Sequence, residues 1–424
     1  KPLYRAIQLL KRLTRQLLIG HGVLFEQLGF RYYGPVDGHD LPSLQNHLQA
    51  VQRIQGPILL HVLTQKGRGY RYAEESPDLY HGVAPFVVEN GIAGHNGAAA
   101  PVGRQEECAS ISQAFGSRLV ELAAHNPRIC AISAAMTVGT GLTGFAEAFP
   151  QRFFDVGIAE QHAVTLAAGL AAGGLRPVVA LYSTFLQRAL DQLLHDICLQ
   201  NLPVVLAIDR AGVVGEDGET HQGIYDLGFL MSLPALEIFC PISCDNLTEI
   251  LDYAIKADHP VAIRYPRGKS WPRQLTAVTT GSAKPASATD FERIRRLRQG
   301  HHITIAALGS MAGPALAAAD LLAEQGITAD VLAVICAKPL DFETLRDSVS
   351  QTGHVLFVEE ALIEGGFGQH ALPDLLADLP AMHFRLAGIS SQLLCQGTRD
   401  QLLSEQKLMP ADLAQLAINM LKNN

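Results

Sequence analysis

One carboxylate stands where an apolar strand gives way to a helix. In FDVGIAEQHAVTLAAGL (Phe154 to Leu170) an apolar strand breaks at Gly157 into a helix, and Glu160 sits at the junction. A Glu in the first turn of a helix ordinarily does no more than offset the helix dipole. Its neighbours in the sequence give it a chemical reading. YSTFLQRALDQ (182–192) and AIDRAGVVGEDGETHQG (207–223) place arginines, an Asp and a His at similar turns. In open parallel sheets ligands gather at the carboxyl ends of the strands. After FFDV comes Glu160, and after PVVAL come Tyr182, Phe185 and Arg188. After LPVVLAID come Arg210, Asp217 and His221, and after PVAI come Arg264, Tyr265 and Arg267. Guanidinium forks match the oxygens of phosphate and carboxylate, so the ligand these ends predict is small and multiply anionic. The plain alternatives are a surface ion pair for any single Arg, a satisfied loop histidine for His221, and a simple turn for GEDGETHQG. Convergence of several such groups on one sheet edge favours a site. No residue is assigned as a metal ligand.

The elements that position these residues follow an alternating pattern. From Glu106 onward helical stretches of ten or more residues separate short apolar runs: ICAISAA, FFDVGIA, PVVALYSTF, LPVVLAID, ALEIFCP and PVAIRYP. Such runs predict a mainly parallel sheet covered on both faces, an α/β domain over 105–275. A Pro-, Thr-, Ser- and Ala-rich linker is expected over 276–299. A second doubly wound α/β domain over 300–424 repeats the grammar with HITIAALGS, ADVLAVIC, HVLFVEE and MHFRLAG. Residues 1–95 hold a helical pattern at 4–28, a turn-rich GPVDGHD, a helix near 41–53, the strand PILLHVLT and the Gly-punctuated loop KGRGY. That is too little for an independent domain, and 96–104 reads as a linker. The helix after Glu160, AVTLAAGLAAGG, carries small residues on every face, which suits close packing against a partner domain, a subunit or its own core.

Composition bounds the class. At 48% hydrophobic and 17% charged residues over 424 positions, two or three domains with large buried surfaces are expected. The net charge of −8 argues against a nucleic-acid surface, and the run ERIRRLR (292–298) reads as one solvated face. Seven scattered cysteines without C-x-x-C spacing predict neither a zinc site nor a disulfide framework, and fit a reducing, cytoplasmic compartment. No window reaches the roughly 18 uninterrupted apolar residues of a membrane span. The N-terminus is basic and amphipathic without a cleavable apolar core, and its first residue is Lys, as in a trimmed chain.

The chain resembles 1-deoxy-D-xylulose-5-phosphate synthases, thiamine-diphosphate enzymes of the transketolase superfamily. The resemblance rests on EQHA, YSTFLQRA, EDGETHQG and IRYPRG in that order. LFEQLGFRYYGPVDGHD, TQKGRGYRYAEESPDLYHGV, KPLD and VEEALIEGGFGQHAL extend it over essentially the whole chain. It implies a pyrimidine-binding domain over 105–275, a transketolase C-terminal domain over 300–424, and over 1–95 the end of a diphosphate-binding α/β domain. It implies a homodimer that condenses pyruvate, with decarboxylation, and D-glyceraldehyde 3-phosphate, at the start of non-mevalonate isoprenoid synthesis. Glu160 would bond N1′ of the cofactor's aminopyrimidine, Phe185 would stack on that ring, and Tyr70 would lie against the cofactor. Tyr182, Arg188, Arg210, Asp217, His221 and Arg267 would line the acceptor pocket, Arg210 and Arg267 taking the triose phosphate. His221, Lys66 and His81 are candidates for proton transfer or for binding the donor carboxylate, and Arg188 joins them among the catalytic candidates. One departure is large: the family binds Mg²⁺ and diphosphate through a Gly-Asp-Gly motif, and no such triplet occurs here. The first third of the family's length is therefore expected to be missing. The alternatives are a half-subunit akin to split transketolases or 2-oxoacid dehydrogenase β chains, needing a partner with that motif, and an inactive folded fragment.

Overall fold

The computed structural model describes residues 22–77, 79–80, 83, 86–92, 110–269, 291–390 and 393–422. It divides at Gly103/Arg104 into two compact units. In the first, strands β1 (Arg31–Asp37) and β2 (Ile58–Leu63) pair in parallel around the helix Leu41–Val51, whose N-terminus is capped by Asp40. GPVDGHD, expected to be a turn, lies largely within β1: Gly34 to Asp37 continue the strand past a register shift between Tyr33 and Val36. Of the helix expected over 4–28, Val23–Gln27 is helical and the residues before 22 lie outside the described ones.

The second unit holds two sheets. The larger one contains β3 (Ile129–Ser133), β4 (Phe153–Asp155), β5 (Arg176–Tyr182), β6 (Val205–Asp209), β7 (Glu237–Phe239) and β8 (Val261–Arg264). The smaller one contains β9 (Ile294–Arg298), β10 (Ile303–Leu308), β11 (Ala329–Val334), β13 (His354–Leu362) and β14 (His383–Ile389), with β12 (Cys336–Lys338) lying elsewhere. The strand orders are β12-β7-β8-β6-β5-β3-β4 and β14-β13-β10-β11-β9. All pairings are parallel except those of β9 and β12, so the sheets are mainly parallel as the apolar runs predict. β3, β6, β7, β8, β10 and β11 are buried along their whole length, the mark of a sheet covered on both faces. Side-chain caps start the flanking helices: Ser110 for Ile111–His125, Ser243 for Cys244–Ala254, Asp341 for Phe342–Thr352, and a Thr398/Gln401 capping box for Arg399–Glu405.

Four features differ from the sequence reading. The stretch expected to be a linker over 276–299 ends in β9, whose Ile294 and Leu297 are buried. The arginines of ERIRRLR are not a free solvated face: Arg293 pairs with Glu237, Arg295 with Glu292, Arg296 with Asp330 and Arg298 with Asp320. β12, from the segment assigned to the last domain, instead extends the larger sheet antiparallel to β7. Cys130, Cys198, Cys240 and Cys336 are buried thiols and Cys395 an exposed one, whereas Cys244 is disulfide-bonded rather than reduced. No described helix is long and apolar enough to cross a membrane.

Candidate active site

The larger sheet runs from β3 outward to β4, then returns to the other side of β3 for β5, so its topological switch point lies between β3 and β5. That is where a doubly wound sheet opens a crevice beyond its strand ends. Ser133, Asp155 and Ala180 are in register there, and the exposed Asp155 ties together the loops that follow β3 and β4. Its carboxylate accepts from the Ala135 amide at 2.9 Å, the Thr137 hydroxyl at 2.9 Å and the Gly157 amide at 3.0 Å. Gly157, at φ 71°, then turns the chain so that Glu160 opens the helix Glu160–Ala172. This helix buries Ala163, Val164, Ala167, Ala168 and Ala171 against its own domain and leaves Gln161, His162, Thr165 and Gly169 exposed.

Glu160 is only 1% exposed, and its carboxylate accepts from Arg188 Nη1 at 2.5 Å. Burying a carboxylate without a partner costs several kcal/mol, on the order of the penalties seen for buried ions, so the guanidinium is what keeps this charge tolerable. Arg188 comes from the short helical run after β5 and lies over the Phe185 ring at 4.7 Å. Phe185 stacks with Tyr182 (6.1 Å, 23°) and meets His221 edge-on at 5.3 Å. Arg210, immediately after β6, lies over the Tyr182 ring at 3.8 Å and donates to the Gly139 carbonyl at 2.9 Å. A Cβ at Gly139 would stand 1.6 Å from the Tyr182 hydroxyl, so only glycine admits this ring. Asp217 bridges the remaining arginines, at 2.8 Å from Arg267 Nη1 and 3.6 Å from Arg210 Nε. The structure thus brings Glu160, Tyr182, Phe185, Arg188, Arg210, Asp217, His221 and Arg267 into one continuous chain of contacts.

Beneath that chain Asp209 is fully buried, accepts from the Ser112 hydroxyl at 2.6 Å, and has its carboxyl pushed up to about 6 by burial. Burial likewise raises the Tyr182 phenol. The hydroxyls of Ser183 and Tyr265 and the Gln222 amide nitrogen are buried here without a hydrogen-bond partner. Two groups placed at strand ends by the sequence do not face a ligand. Arg264 is buried and committed to Asp226 at 2.8 Å, and Tyr265 packs on Phe115 inside the core. In the first unit, Tyr70 is the centre of an aromatic cluster with Tyr72, Tyr80 and Phe86 and donates its hydroxyl to the Val88 carbonyl. Lys66 lies exposed in the same loop, and His81 lies outside the described residues.

The comparisons with known proteins agree with this geometry. Residues 108–270 match the pyrimidine-binding domain of transketolase, 292–412 the transketolase C-terminal domain, and 1–64 the 1-deoxy-D-xylulose-5-phosphate synthase N-terminal family. The synthase of Desulforudis audaxviator is 48% identical over 359 residues, covering 85% of this chain and 54% of that protein. That of Natranaerobius thermophilus is 42% identical over 422 residues, covering 99% of this chain and 64% of its own. The chain belongs to the 1-deoxy-D-xylulose-5-phosphate synthase family. It spans between half and two thirds of the length of these relatives. Among solved structures, a split-gene transketolase described as an inactive β4 tetramer superposes with TM-score 0.63 at 31% identity, covering 74% of this chain and 99% of that one. A transketolase from Pichia stipitis, at 18% identity and TM-score 0.60, shares the fold.

The family depends on thiamine diphosphate, and the residues present fit one end of it. A buried carboxylate at a helix start, beside a half-buried aromatic ring, suits the flat aminopyrimidine. Among the described residues no group of three or more His, Cys, Asp or Glu could hold a metal ion. Sequence reasoning missed Asp155, which shapes the loop around Gly157, and Glu360, whose contacts reach the arginine-bearing loop from the last domain. The signal for Glu360 was present: two adjacent carboxylates inside the otherwise apolar run HVLFVEEAL.

Proposed function

We propose that this chain supplies the pyrimidine-activating and acceptor-binding parts of a 1-deoxy-D-xylulose-5-phosphate synthase. The enzyme condenses pyruvate, with loss of carbon dioxide, and D-glyceraldehyde 3-phosphate to 1-deoxy-D-xylulose 5-phosphate. The observation that carries this reading is the unbroken contact chain from buried Glu160 through Arg188, Phe185 and Tyr182 to Arg210, Asp217 and Arg267. It joins a proton-handling carboxylate to an anion-binding pair of arginines. Thiamine diphosphate, when bound, supplies the electron sink for decarboxylation of a 2-oxo acid. Glu160 holds the proton it shares with N1′ of the aminopyrimidine, and Phe185 presents its ring to that heterocycle. Arg210 and Arg267, held apart by Asp217, take the dianionic phosphate of the triose. His221, against the edge of Phe185, is placed to bond the oxygens of donor or acceptor. Residues outside this chain, in the part of the relatives it does not span, hold Mg²⁺ and the diphosphate, and the working form is a cytoplasmic homodimer.

In the full-length enzyme, Glu160→Ala should lower kcat by about 10²- to 10⁴-fold with an unchanged far-ultraviolet spectrum. Product formation at the native rate would remove the assignment. Arg267→Ala should raise KM for D-glyceraldehyde 3-phosphate by about 10- to 100-fold, the worth of one charge-assisted bond, with KM for pyruvate little changed. Coverage of 99% of the split-gene transketolase chain favours a second reading, in which a separate partner chain carries the diphosphate site. Calorimetry on the 424-residue chain alone distinguishes both readings from a self-sufficient enzyme, because tight Mg²⁺-dependent binding of thiamine diphosphate would contradict each of them.

A further inference from the structure

The loop that carries Asp217 and His221 leaves β6 at Arg210 and is pinched at its neck. The Gly212 amide donates to the Gly223 carbonyl at 2.7 Å and the Gly223 amide returns to Gly212 at 2.8 Å. Arg210 itself holds a left-handed backbone, φ 57°, a conformation that a non-glycine residue keeps only where its surroundings impose it. Arg210's own contacts, Gly139, Tyr182 and Asp217, lie in the middle domain, but the loop just beyond it is held from the last domain. Glu360, 1% exposed in β13, accepts from the Val213 amide at 2.9 Å and the Ser310 hydroxyl at 2.9 Å. Its carboxylate is also gripped by both prongs of Arg399, Nε at 3.0 Å and Nη2. The Glu360 carbonyl accepts from Arg264 Nη2 at 2.9 Å, and Arg264 is fixed by Asp226. One turn further along the loop, a Cβ on Gly215 would stand 2.8 Å from the Gly397 carbonyl and 2.9 Å from the Arg399 amide.

We infer that Glu360 and Arg399 are positioning residues for the acceptor's phosphate: the ion pair, built entirely in the last domain, clamps the loop that sets the spacing of Arg210 and Arg267. Neither residue reaches the ligand. Glu360 fixes the chain at Val213, and Arg399 fixes Glu360 while its own backbone abuts Gly215. The Asp217 carboxylate between the two arginines therefore takes its place from a domain that contributes no arginine to the pair. The proposal rests on the reading of Arg210 and Arg267 as the phosphate site.

The test is calorimetric titration of the 424-residue chain with sn-glycerol 3-phosphate, a non-reacting analogue, alongside KM values in the active enzyme. Arg267→Gln is the control for the phosphate site. Glu360→Gln keeps the shape but loses the charged fork; Arg399→Lys, at a side chain 30% exposed, keeps the charge, loses the second prong and is the milder change should Glu360→Gln fail to fold. Both should weaken the analogue, Glu360→Gln by about tenfold, as a displaced binding group does. They should also raise KM for D-glyceraldehyde 3-phosphate while KM for pyruvate stays put, a split that general destabilisation would not produce. If Arg267→Gln weakens the analogue and the two clamp variants bind it like the native chain, the positioning role is overturned. If Arg267→Gln also binds normally, the phosphate reading itself falls, and the proposal with it.

Discussion

Glu160 and Arg188 form an unequal pair, the carboxylate 1% and the guanidinium 43% exposed. Desolvation therefore falls mainly on Glu160, and removing its partner should hurt more than removing the carboxylate. Arg188→Met is expected to cost about 1–3 kcal/mol of stability, the price of an unsatisfied buried group discounted for the exposed side of the pair. In a Glu160→Gln background the same change should cost much less, and a double-mutant cycle in urea would expose the coupling. Additive effects would show that the charge of Glu160 does not depend on Arg188. Glu160 was legible because a carboxylate stands where an apolar strand breaks at a glycine into a helix, and the arginines because they recur after successive strands. The paired acids of HVLFVEEAL mark Glu360 as unusual, but its role with Arg399 was not legible, because it depends on two segments far apart in sequence meeting at Val213. Tyr70 shows the converse limit. KGRGY displays an aromatic residue in a glycine-rich loop, yet nothing local says that Tyr72, Tyr80 and Phe86 will surround its ring.

Among the elements, β13 and the helix Phe367–Asp378 illustrate how a strand and a helix start are joined by one buried acid. Glu359 accepts from the Phe367 amide at 2.7 Å and the Gly368 amide at 3.0 Å, so it supplies partners for amides that the first turn leaves open. Burial nevertheless dominates and pushes its carboxyl up to about 7 from 4.5. A folded-state value above the unfolded one means that the native chain holds the proton more tightly. The stabilising contribution is complete below pH 4.5 and is lost as the pH rises through 7. Its full size is at most about 3 kcal/mol. Glu359→Gln, though less stable overall for want of a second acceptor oxygen, should show a shallower fall in Tm between pH 4.5 and 7. A slope equal to that of the native chain would clear Glu359 of the effect. The long helices and the ten apolar runs of the second unit were readable from the sequence, whereas β9 and β12 were not. β12 has three residues, too few for any period, and in β9 the buried Ile294 and Leu297 stand three apart, off the two-residue strand period, where the pairing with β11 shifts register.

At the scale of the whole second unit, the two α/β domains share more than a linker. β12 crosses over to pair with β7, the Cys240 amide donates to the Ile335 carbonyl at 2.7 Å, and Arg293 reaches Glu237 at 2.8 Å. Glu237 also bonds Tyr253 and His259, each at 2.7 Å. The two domains should therefore melt together, giving one calorimetric transition whose van't Hoff and measured enthalpies agree. Two resolved transitions would mean that the shared strand carries little coupling. The crossover of β12 also bears on how the protein can be cut. A fragment ending at residue 270 keeps every residue of the crevice but strips the outer neighbour from β7, baring a row of backbone donors and acceptors on a strand buried in the intact chain. Such an edge recruits other chains, so the isolated middle domain should self-associate. A soluble reporter of the crevice has to carry Cys336–Lys338 with it.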